Sequence, residues 1–153
     1  MSTIIQGGVV YTITSDNYAL VTGFTADLPP SVTIPFLLIY DSIFVYSVIG
    51  IATGAFANCT VITEVDISSI VVIEPQAFYN CYSLTTVTIE DPSTITTITS
   101  DSFTDVGAPD GSSITFYLTN NISDLSPTWQ TISTYYALQI ANPNPACFTP
   151  FFI

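Results

Sequence analysis

Asp101, Asp105 and Asp110 crowd one stretch of the chain, and carboxylates are almost the only side chains here able to do chemistry. The sequence holds 12 Asp and Glu but no Lys, Arg or His, a formal net charge of −12. Clustered carboxylate oxygens suit a hard cation such as calcium, and a pair of acids astride a glycosidic bond could hydrolyse it. The 101, 105, 110 spacing matches no calcium-binding loop, and nothing in the sequence places two acids in a cleft. The expectation is therefore no catalytic residue, no metal ligand and no cofactor, with calcium the one ion left open. The missing bases exclude further classes. Without His there is no Ser–His or Cys–His pair and no common nitrogen ligand for zinc. Without Lys or Arg nothing neutralises transferred or nucleic-acid phosphates, and anionic membrane surfaces repel the chain. No glycine-rich phosphate loop or nucleophile elbow is present. The chain reads as a non-enzyme that binds no nucleic acid.

Cysteine and asparagine offer the remaining reactive positions. Cys59, Cys81 and Cys147 make an odd count that leaves the redox compartment open. Cys59 and Cys81 stand 22 residues apart in matching local sequences, which predicts buried ladder residues rather than a disulfide or metal pair. Two glycosylation sequons occur, Asn58-Cys59-Thr60 and Asn121-Ile122-Ser123. The first overlaps a turn where Asn more often satisfies backbone groups, so Asn121, in a polar loop, is the better acceptor.

The elements that would carry these residues are repeats. Gly54-Ala55-Phe56-Ala57-Asn58-Cys59 recurs as Gln76-Ala77-Phe78-Tyr79-Asn80-Cys81, with 22 residues between Phe56 and Phe78. Each copy is followed by a strand-like run, Ile62–Ile67 and then Leu84–Ile89. A degraded third copy ends at Phe103, 25 residues beyond Phe78, with its strand at 113–116. A period of this size marks a solenoid. Extrapolation predicts strands at 43–45, 64–67, 86–89 and 113–116, with Val65, Ile67, Val87, Ile89, Ile114 and Phe116 pointing inward. Stacked coils place equivalent residues about 4.8 Å apart, so Phe56, Phe78 and Phe103 form an aromatic spine beside a Cys59–Cys81 column.

Segments such as Ala77-Phe78-Tyr79-Asn80-Cys81-Tyr82-Ser83-Leu84-Thr85-Thr86-Val87-Thr88-Ile89 resemble the BspA-type leucine-rich repeat, which runs Ala-Phe, then Cys, then Leu-Thr-x-Val-x-Ile. The likeness covers roughly residues 42–118. Ser31-Val32-Thr33-Ile34-Pro35 is similar to a family fragment but out of phase, and the usual Gly before Ala-Phe is Gln76 and Asp101 in the later copies. The resemblance implies a mainly β, short leucine-rich-repeat-like solenoid and a cell-surface or secreted adhesion protein. Gly8–Thr14 and Ala19–Gly23 resemble the hairpin that opens such arrays, turning near Ser15-Asp16-Asn17. Residues 1–41 are read as that N-terminal cap, 42–118 as the solenoid, and 119–153 as a C-terminal cap and tail, in one domain overall.

The ends decide how the chain is used. Ser126-Pro127 predicts a short helix carrying Trp129, Ile132 and Tyr136 on one face. A Pro-broken apolar tail follows it. The first residues carry no basic region and do not read as a signal peptide. Residues 34–52 are nearly long enough to span a membrane, but Pro35, Asp41 and the β-branched, aromatic content predict two buried strands and a turn. Only 8% of residues are charged and mean hydropathy is +0.56, so much of the outside should be buried against other copies or covered by something else. The favoured reading is a self-assembling, extracellular or surface-exposed subunit of a fibre or layer. Its partner is another copy, docked through Phe148, Phe151, Phe152 and Ile153. The alternative is a monomeric recognition module that binds another surface protein on its Thr-rich sheet.

Overall fold

Runs of Val, Ile, Thr and Tyr broken by Gly, Pro and Asn dictate strands too short to stand alone. The computed structural model describes residues 1–14, 17–89, 94–99, 101–107, 115–118 and 139–141. Among them are the strands β1 (Thr3–Gln6), β2 (Val9–Ile13), β3 (Tyr18–Phe24), β4 (Ser31–Thr33), β5 (Leu37–Tyr40), β6 (Phe44–Ile51), β7 (Glu64–Asp66), β8 (Val72–Ile73), β9 (Thr86–Ile89), β10 (Thr115–Leu118) and β11 (Gln139–Ala141). The described residues are mainly β and contain no α-helix. The helix expected over residues 126–136 and the tail after residue 141 lie outside the described residues.

Two sheets face each other across one core. The first runs β1-β2-β3-β6-β5, with β8 also on β6; the second runs β11-β10-β9-β7-β4 and is parallel in every described pairing. In the second sheet Val32, Val65, Val87 and Phe116 stand in register. All four are buried, while Ser31, Thr33 and Glu64 face out. This alternation follows from the two-residue period of a strand. The first sheet repeats the arrangement on the opposite wall. Val21 pairs Ile51 and Ile51 pairs Ile73, both in parallel, and a bridge from Val72 to Thr97 continues the stack.

The expectation of a strand at 43–45 beneath 64–67 is corrected. β4 (Ser31–Thr33) lies there, paired in register with β7, and residues 43–45 belong to the β5–β6 hairpin of the other sheet. Val65 to Phe78 spans 13 residues, whereas Val32 to Phe56 spans 24, so this coil carries eleven extra residues. Those residues leave the coil as a hairpin and return, which hides the repeat from a fixed-period reading. The expectation that both strands of this stretch are buried is corrected with it. Leu38, Val48 and Ile51 are buried, but Leu37, Ile39, Tyr40, Ile43, Phe44 and Val45 are exposed.

Phe56, Phe78 and Phe103 form a stacked column with no exposed surface. Centroid separations are 5.2 and 4.9 Å, with planes within 7° and 5°. Phe24 extends the column at 6.2 Å from Phe56, and Phe116 closes on Phe103 edge-to-face at 5.3 Å. The backbone locks the same register. Phe56 donates its N–H to Ala77 O at 2.8 Å, and Phe78 donates to Ser102 O at 2.9 Å. Cys59 and Cys81 are free and buried beside the column. The Cys81 thiol donates to Phe56 O at 3.0 Å, and burial pushes its pKa up to about 12.

The N-terminal end is built of two hairpins. β2 and β3 pair antiparallel, and β1 adds outside β2 through a turn at Gly7-Gly8, where φ is 57° and 79°. Glycine is required at position 8, since a Cβ there would lie 2.5 Å from Leu28 Cα. This contact holds the turn against the loop that leads into β4.

Candidate functional site

The polar candidates among the described residues lie in turns and ladders of the scaffold. Asn58 takes a left-handed conformation (φ 62°) and its Oδ1 accepts a hydrogen bond from Asn80 Nδ2 at 2.7 Å; Asn80 repeats the geometry one coil on (φ 61°). The side-chain amide of the first sequon is thus one rung of an asparagine ladder. Asp101 accepts from Thr99 Oγ1 at 2.6 Å, closing its own turn. Asp105 sits at a left-handed turn position (φ 55°). Among the described residues no three His, Cys, Asp or Glu side chains converge on a metal position. Asp110, Asn121, Cys147, Phe148, Phe151, Phe152 and Ile153 lie outside the described residues.

Two surfaces remain. The solvent side of the parallel sheet carries Ser31, Thr33, Glu64, Asp66, Thr86 and Thr88 in rows. At its end Thr33, Pro35, Phe36, Asp66, Ser68 and Thr88 line an open recess of about 450 Å³. Asp66 Oδ1 accepts the Ser68 N–H at 3.0 Å and its hydroxyl at 2.5 Å, which fixes the carboxylate at the edge of the recess. The chain has no Lys, Arg or His side chain to neutralise this carboxylate.

The second surface is the β5–β6 hairpin, which the sequence pattern treats as core. Its base is held by Leu38, fully buried, by Tyr46 packed on the core, and by the Val48 N–H donating to Phe36 O at 2.9 Å. Its tip turns through Asp41 and Ser42, both at positive φ (54° and 58°), the combination that suits the twist of a tight hairpin. Ile43 is 75% exposed, Ile39 62% and Phe36 58%. Alternation explains the outer face: Leu37, Ile39 and Val45 share one side, opposite Leu38 and Tyr46. Periodicity alone cannot separate a strand covered on both faces from one covered on a single face. No helix among the described residues is long and apolar enough to cross a membrane.

Comparisons place this architecture. The family model described as BspA type leucine rich repeat region matches residues 39–132 in six copies. A leucine-rich cell surface protein from Faecalibacterium prausnitzii is similar over 70% of this chain at 30% identity, with a TM-score of 0.54. A leucine-rich repeat protein from Bacteroides ovatus is similar over 57% at 31% identity and a TM-score of 0.52. The chain spans 27% and 24% of those two structures, about a quarter of each. A leucine-rich repeat protein from Bacteroides capillosus is matched over its whole length and 78% of this chain, at 21% identity and a TM-score of 0.57, a likeness of fold. No curated protein is detectably similar in sequence. The 22-residue Ala-Phe…Cys coil, the stacked Phe column and the match over more than half the sequence lead to one conclusion: the chain belongs to the BspA-type leucine-rich-repeat family.

Proposed function

We propose that this chain is a non-catalytic, surface-exposed structural subunit that works by self-assembly. The observation that carries the reading is the band of exposed apolar side chains from Phe36 to Val45 on a chain whose charge is all of one sign. Monomeric proteins rarely leave contiguous apolar patches of more than a few hundred Å² in water. An extracellular or cell-surface setting is supported by the Faecalibacterium relative, which is described as a cell surface protein. Chemistry has little to work with here, since the described carboxylates lie in turns or on an open face with no base beside them.

Sedimentation velocity and negative-stain microscopy of the full chain over a range of concentrations test the reading. Mass should rise with concentration, and added salt should strengthen association by screening the repulsion between copies of charge −12. Comparison with a chain ending at residue 145 asks whether Phe148, Phe151, Phe152 and Ile153 extend the assembly. A monomer at every concentration and salt level would displace this reading. The recess at Asp66 and Phe36 favours the second one, a recognition module whose acid-edged, aromatic-walled site takes a cationic group of a partner protein.

A further inference from the structure

We infer that β5 is the primary contact edge and that it pairs antiparallel with β5 of a second copy, giving a two-fold dimer. This rests on the self-assembly reading and specifies its first contact. β5 ends the strand order of its sheet among the described residues, so one edge of Leu37–Tyr40 is left to pair. Natural edge strands are guarded by charge, Lys above all, by bulges or by covering segments. Leu37-Leu38-Ile39-Tyr40 carries no charge and pairs with β6 in unbroken register.

Three considerations select a second copy as the occupant. The first is area. Phe36, Leu37, Ile39, Tyr40, Ile43 and Val45 are each about half exposed or more, as is Phe44 beside them. Tyr40 and Phe44 lie on the face opposite Leu37, Ile39 and Val45, so an edge-to-edge contact draws on both faces, and at about 100 Å² apiece its ceiling is roughly 700 Å². A stable interface takes about 800 Å² from each partner. The second is charge. Asp41 is the only charged residue between Asp27 and Glu64, so a contact at this hairpin brings few like charges together. Identical molecules can approach closely where like charge is sparse, and Asp41 sits at the hairpin tip rather than on the edge. A cation-bearing partner would instead be drawn to the acid-rich remainder. The third is symmetry. An antiparallel strand is complementary to itself about a two-fold axis, so one edge serves both subunits and the contact closes.

The test compares Ile39→Glu with Ile5→Glu by sedimentation equilibrium of the full chain. Both residues are 62% exposed, and both changes add one negative charge. Ile5 lies on β1 at the other end of the same sheet, which makes it the control. Wild type and Ile5→Glu should dimerise alike, whereas Ile39→Glu, placing two carboxylates near the axis, should weaken dimerisation at least tenfold. Val45→Glu, across the hairpin from Ile39, gives the same loss and keeps the comparison readable if Ile39→Glu fails to fold. A wild type that associates and an Ile39→Glu variant that associates equally would overturn the β5 contact and leave self-assembly standing. A strictly monomeric wild type would remove both.

Discussion

Replacing Phe78 by Ala removes the middle ring of the column, and the structure sets the size of the loss. Phe78 has no exposed surface and stacks on Phe56 at 5.2 Å and Phe103 at 4.9 Å. Truncating a core Phe costs about 3–5 kcal/mol, and each aromatic pair is worth about 0.5–1.5 kcal/mol beyond its buried area. Two near-parallel stacks place Phe78→Ala at the upper end, about 4–5 kcal/mol. Phe24 is only partly buried and has one stack, at 6.2 Å, so Phe24→Ala should cost about 2 kcal/mol. Urea unfolding followed by circular dichroism reads the difference, and Phe78→Ala should lower Tm by roughly 8–20 °C. Coils of a repeat protein contact only their neighbours, so losing the central ring should also loosen coupling between the halves and broaden the transition. An equal cost for Phe78→Ala and Phe24→Ala would refute the claim that the stacked column is the main tie between coils.

The turns and titrations give further tests. Gln76 holds φ 57° where the preceding coil has Gly54 at 66°, and an L side chain in that region costs about 1–2 kcal/mol. Gln76→Gly should stabilise by about 0.5–1 kcal/mol after the entropy cost of glycine, read as a higher urea midpoint. Gly8→Ala forces a Cβ to 2.5 Å from Leu28 Cα at φ 79° and should destabilise by about 2–4 kcal/mol, read in the same unfolding assay. Burial raises Cys81 from 9.0 and Tyr11 from 10.0 to about 12 each. The folded chain keeps both protons while the unfolded chain releases them, so stability is full below pH 9 and falls between pH 9 and 12. Urea midpoints measured across that window should drop, and Tyr11→Phe should flatten the upper part of the decline.

The sequence by itself determined the chemistry this protein lacks and the register of its regular coils. Absence of Lys, Arg and His is a property of composition that no fold can restore. Equal coil lengths force equivalent residues into line, so the 22-residue spacing is enough to bring Phe56 onto Phe78 and Val65 beside Val87. Gly7-Gly8 between Ile4-Ile5 and Val9-Val10 is also a legible hairpin signal. Tertiary structure alone decided where the array begins and what it leaves uncovered. Phe24 and β4 join the column and the parallel sheet across an eleven-residue insertion that breaks the period, and only packing reveals that they are equivalent. Ile39 and Val45 have the same residue types and alternation as core positions. Whether such a strand is buried depends on what lies opposite its second face, and on β5 and β6 beyond Tyr46 nothing among the described residues covers that face.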